Sequence, residues 1–199
     1  AAFVFQSFPA QRIAGANDID RAYDDLAVPG FWEAYWAAMA ESYATQSDAY
    51  ALNKITTAAG TPGTATSVWD AIVQGLTAVS AYGGDPQIAI AQDLLSSIAS
   101  TPASDVPFLL SSMFGSLGDL IAIAPPGTTA GTVTVWSKAA VTTKEAGSVP
   151  IRVQAVNIPN GGIDAALFGY IVTYVTQPAA VKAYTAPVLP LAAASSSKK

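Results

Sequence analysis

Ser195-Ser196-Ser197-Lys198 places a lysine three residues after a serine, the spacing of a Ser–Lys nucleophile pair. It lies in a polar Ala/Ser-rich tail with no apolar sequence to build a pocket, so it reads as tail. Gly115-Ser116-Leu117-Gly118 lacks the spacing of a nucleophile elbow and reads as a loop. The 199-residue chain has no His and no Cys. That absence removes His-based triads, His-Cys zinc sites, the commonest general base and any disulfide framework. Asp18/Asp20 and Asp24/Asp25 are the carboxylate clusters that glycosidic or phosphoryl chemistry would use. Neither a Gly-rich phosphate loop nor a metal-ligand spacing accompanies them. They read as helix-start acids that complement the macrodipole and solvate the surface, ahead of an oxygen-only cation site or a carboxylate-dependent hydrolase. No catalytic, cofactor-binding or metal-ligating residue is assigned, and no cofactor is expected.

Two other groups carry interaction chemistry. Phe31, Trp32, Tyr35, Trp36, Tyr43 and Tyr50 would form an aromatic helix face. Such a face can line a ligand groove or stack bases, but base stacking needs basic neighbours that this stretch lacks. Core packing or an intersubunit contact is favoured, with Trp32 and Trp36 as the central residues. Arg152 and Asp164 lie on either side of a hairpin turn. The favoured reading is a modest cross-strand pair, and the sharper one an ion pair between subunits.

Composition bounds the partners. Hydrophobic residues make up 51% and charged residues 12%, against a usual charged share of about 25%. A surface so poor in charge is expected to meet other protein. A net charge of −5 argues against a general nucleic-acid binder, which needs a clustered basic face. Half the acids (Asp18, Asp20, Asp24, Asp25, Glu33, Glu41, Asp48) fall in one stretch that reads as a solvated acidic face. Mean hydropathy is +0.36, yet the longest apolar run, Ala165 to Val175, is too short for a helical span and reads as a buried strand. The chain begins Ala-Ala-Phe without Met or a charged n-region, which suggests a processed or truncated piece.

Behind these residues stand the elements that must position them. Phe3 to Phe8 reads as a short strand, and residues 10–29 as polar and acidic with a turn of helix around Ile19–Leu26. Pro29-Gly30 opens a long helix from Phe31 to about Thr57. Residues 58–66 read as a linker. Ser67-Val68-Trp69-Asp70 reads as a capping box launching a helix with Val68, Ile72, Leu76 and Val79 inward. Ile88–Ala91, Leu120–Ala124 and an alternating Thr132–Trp136 are predicted strands, with a short helix at Gln92–Ser100 and ambiguous residues at 103–119. Val149–Val175 forms two long strands about Pro159-Asn160-Gly161-Gly162, where Asn-Gly and Gly-Gly supply the positive φ of a tight hairpin. Helices and strands do not alternate strictly, so the fold class is α+β with an inserted subdomain at roughly 61–144.

Pro29-Gly30-Phe31-Trp32-Glu33-Ala34-Tyr35-Trp36 with Ala40 to Asp48, and Val149 to Pro159 with Gly162-Ile163-Asp164 and Phe168-Gly169-Tyr170, resemble major capsid proteins of tailed bacteriophages. The likeness is to those of actinobacterial phages in particular, with the Hong Kong 97-type fold shared by encapsulins. Gly84 to Ala91 and Ser100-Thr101-Pro102 resemble parts of that family's axial domain, and the resemblance covers roughly residues 3–185. It implies a peripheral domain at 1–60 containing the spine helix, an α/β axial domain at 61–144, peripheral strands returning at 145–185, and a flexible tail at 186–199. Almost no room remains for the family's N-terminal arm and extended loop, so the chain is expected to be a core fragment, and no crosslinking residue is assigned. The implied function is a non-enzymatic subunit that self-associates into pentamers and hexamers of an icosahedral head enclosing DNA. It would assemble in the host cytoplasm and reside in the virion, with other capsid components as further partners, no sequence-specific nucleic-acid binding and no membrane. The alternative is an encapsulin-like compartment shell that binds a cargo peptide.

Overall fold

The computed structural model describes residues 7–26, 29–83, 85–100, 121–123, 125–147, 150–157 and 161–188. The chain divides into two compact units. The first comprises Ala1–Ala51 with Thr143–Thr173, and the second Leu52–Thr142 with Tyr174–Lys199.

The first unit is built on a four-stranded sheet. β1 (Gln11–Asp20) and β7 (Ile151–Asn157) pair antiparallel with the long β8 (Gly162–Val175), and β6 (Val141–Glu145) also joins β8. A single turn of helix, α1 (Ala22–Asp25), leads to the long α2 (Phe31–Ala58). At about 1.5 Å per residue, α2 is roughly 42 Å long. Ala-rich composition favours it, and it ends where Gly60 takes φ 73°, the left-handed conformation that commonly closes helices. The β7–β8 hairpin has Asn157 opposite Gly162, with Gly161 at φ 66° as its sequence predicts. Alternation in β8 is plain: Ile163, Ala165, Leu167, Gly169, Ile171 and Thr173 are buried. The inward residues meet α2 in a core of Ile13, Tyr43, Leu167 and Ile171, flanked by Trp36, Met39 and Tyr50. Gly169 is required there, because a Cβ would stand 2.3 Å from the Tyr43 hydroxyl.

The second unit carries a five-stranded sheet in the order β2-β9-β5-β3-β4. Its strands are β2 (Gly63–Thr64), β3 (Pro86–Ile90), β4 (Ile121–Ile123), β5 (Thr132–Ser137) and β9 (Val181–Thr185). β5 runs antiparallel to both β3 and β9. β3 is parallel to β4, and β2 to β9. The helix α3 (Val68–Ser80) packs on β5, while a 3-10 turn (Gln92–Leu94) leads into α4 (Leu95–Ser100). Val68, Ile72 and Val79 are buried as their helical spacing predicts, and Leu76 packs partly buried against the same core.

Several expectations need correction. Gln11–Asp20 is a ten-residue strand rather than a polar segment leading to a helix, and the predicted helical turn shrinks to α1. Gly, Ala, Asn and Asp have weak strand preference, so pairing with β8 overrides the local sequence. Phe8 is exposed and precedes the strand; the rest of the predicted Phe3–Phe8 strand falls largely outside the described residues. The 58–66 linker contains β2. β5 does not alternate, because Thr132, Val133, Thr134 and Val135 are all buried in a central strand covered on both faces. The return expected at 145–185 is divided: β9 pairs with β5 and β2, so residues from Tyr174 onward join the unit of the middle segment. The expected tail is ordered at its start. Ala186 is buried and donates its N–H to the Gly131 carbonyl at 2.9 Å, and the Pro187 carbonyl accepts from Ser97 at 3.1 Å. Gly115–Gly118, Ser195–Lys198 and the whole of the ambiguous 103–119 stretch lie outside the described residues.

Candidate functional site

In the first unit, the first turns of α2 concentrate its aromatics. Trp32 stacks on Trp36 with ring centroids 6.2 Å apart, and Tyr35 meets both edge-on. Tyr23 from α1 stacks on Phe31 at 4.5 Å. The indole N–H of Trp32 donates to Asp24 at 3.1 Å, which fixes α1 against the start of α2. The Tyr35 hydroxyl donates to the Ala165 carbonyl at 3.0 Å and accepts from Asn17 at 3.2 Å, tying the helix to β8 and β1. Trp32 and Trp36 are half-buried, so they serve packing while keeping an accessible edge.

Arg152 and Asp164 are not brought together. On the ladder, Arg152 stands opposite Leu167 and Asp164 opposite Ala155. The two therefore project from opposite faces of the sheet, because an odd offset on a pleated strand reverses the side. Arg152 lies on the helix side, its guanidinium 5.5 Å from the centre of the Trp36 ring, a cation–π contact. Asp164 lies on the other face and accepts from Asn157 at 3.1 Å. Across β1 it stands opposite Asp18, a like-charge pair that costs a little stability.

That other face is the feature the sequence did not single out. It presents Arg12, Ala14 and Ala16 from β1, Ile151, Val153 and Ala155 from β7, and Phe168 and Tyr170 from β8. Ile151, Val153 and Tyr170 are about two-fifths exposed, and Arg12 lies over the Phe168 ring at 5.2 Å. The period of two in β8 was the available signal; the residues of β1 read locally as a polar segment, so the face had no second side.

The acids expected at a helix start are committed to local structure. Asp20 accepts the Ala22 N–H at 2.8 Å, Asp24 accepts from Trp32, and Asp25 pairs with Arg21 at 3.2 Å. In the helix-facing core, burial pushes the Tyr43 hydroxyl above its ordinary pKa. The negative charge of Glu145 and the 3.4 Å hydrogen bond donated to it act in the same direction. Space between α2 and the sheet amounts to a cavity of about 40 Å³ lined by Ile13, Gly15, Met39 and Leu167 among others. That suits a water and is far below the roughly 300–1,000 Å³ of ligand pockets. A larger recess in the second unit, about 360 Å³, is lined by Ala91, Gln92, Asp93, Thr128 and Ala130. One Asp93 oxygen accepts the Gly131 N–H at 2.7 Å, and Thr128 donates to the Pro125 carbonyl. Among the described residues that line the recess, no Lys, Arg, Glu or second Asp accompanies that carboxylate. No helix among the described residues is long and apolar enough to cross a membrane.

No family model matches the sequence, and no curated protein matches it. Solved structures do match, over most of the chain. A structure from Mycobacterium phage Che8 superposes with a TM-score of 0.68 at 15% identity, covering 87% of this chain and 70% of that one. A virus-like particle from Pyrococcus furiosus gives 0.68 at 11% identity, covering 88% and 77%. The mature capsid of bacteriophage PhiM1 gives 0.63 at 15% identity, covering 96% and 77%. The chain has the α+β Hong Kong 97-type capsid fold.

Proposed function

We propose that this chain is a structural, non-enzymatic shell subunit of a phage head, assembling with copies of itself into pentamers and hexamers that enclose DNA. The observation that carries this reading is the extent of the fold match, which reaches 96% of the chain against a mature phage capsid and so takes in both units. The 12% charged composition supports it, since extensive self-contact needs faces that desolvate cheaply. In this reading the unit built on α2 and the β7–β8 hairpin is the peripheral domain. The unit with the five-stranded sheet is the axial domain that meets its copies around the capsomer centre. Trp32, Trp36, Arg152 and Asp164 then act in packing and intersubunit contact, and the protein resides in the virion after assembly in the host cytoplasm.

Electron microscopy of the purified protein is expected to show shells, or rings of five or six subunits. A monodisperse monomer across the whole accessible concentration range would overturn the reading. A second reading, a compartment shell holding a protein cargo, draws on the similarity to the virus-like particle of Pyrococcus furiosus, whose TM-score of 0.68 matches that of the phage Che8 structure. The particle contents separate the two: nuclease-protected DNA supports the phage head, and a stoichiometric co-purifying protein supports the compartment.

A further inference from the structure

We draw no further inference here: the strongest candidate, the exposed apolar face of the four-stranded sheet around Ile151, Val153, Phe168 and Tyr170, has nothing in the structure to show what covers it, and the recess at Asp93 offers a ligand no free charged atom among its described residues, since one carboxylate oxygen accepts the Gly131 N–H and the other is enclosed.

Discussion

Gly75 lies within α3, where alanine normally adds about 1 kcal/mol to helix stability. Here a Cβ would stand 2.5 Å from Val135 Cγ2 and 2.9 Å from its Cβ. Val135 is fully buried and branched, with no flexible end to move aside. Gly75→Ala is therefore expected to destabilise by about 1–3 kcal/mol, against the sign that helix propensity gives. A urea midpoint that rose instead would contradict this packing. Tyr43 makes a second residue-scale case. Its folded-state pKa is raised above 10.0, first by burial and then by Glu145, so the unfolded chain releases that proton first as pH climbs. Its contribution is present in full below pH 10.0 and is lost as pH rises from there through the folded-state value. Tyr43→Phe should flatten this part of the alkaline decline, measured as denaturant midpoints on either side of pH 10.0.

At the scale of elements, α3 shows how a local signal becomes structure. The Ser67 hydroxyl accepts the Asp70 N–H at 3.1 Å, the first half of the predicted capping box. The Asp70 carboxylate turns instead to Thr66, accepting its N–H at 2.8 Å and its hydroxyl at 2.9 Å. Ser67→Ala should cost roughly 0.5–2 kcal/mol, read as a lower thermal or urea midpoint. Hydrogen bonds from Gln74 first, and then from Thr66, hold the Asp70 pKa below 3.8. A depressed carboxylate stabilises above its unfolded pKa, and that contribution fades as pH falls from about 3.8 through the folded value. Asp70→Asn should remove this segment of the acid dependence, which an acid titration followed by circular dichroism would reveal. The caps, α2 and the β7–β8 hairpin were legible because each is specified by neighbours in sequence. β1 was not, since Gln11–Asp20 becomes a strand only through partners at 162–171.

For the whole molecule, a net charge of −5 on 199 residues with 12% charged composition makes mainly apolar contacts the expected basis of self-association. Raising ionic strength from about 0.1 M to about 1 M shortens the Debye length from roughly 10 Å to roughly 3 Å. Assemblies held by apolar faces should persist through that change, as light scattering can follow. Dissolution at high salt would show that ion pairs carry the contacts. The division into two units was partly legible. The change of unit at Thr143 lies beside the boundary expected at 144, but assigning residues from Tyr174 onward required the pairing of Val181–Thr185 with Thr132–Trp136.

The sequence by itself determined the long aromatic helix, the capped α3, the Gly161 hairpin and the absence of His and Cys chemistry. Each is a property of residue type or of spacing within a few turns. Tertiary structure alone decided that Arg152 and Asp164 part to opposite faces, since a shift of one residue in register reverses every side chain. It also decided that Gln11–Asp20 completes the sheet and that Val181–Thr185 belongs with β5. The last two outcomes depend on which distant strand supplies the hydrogen bonds, and pairing between strands far apart in sequence leaves no local mark.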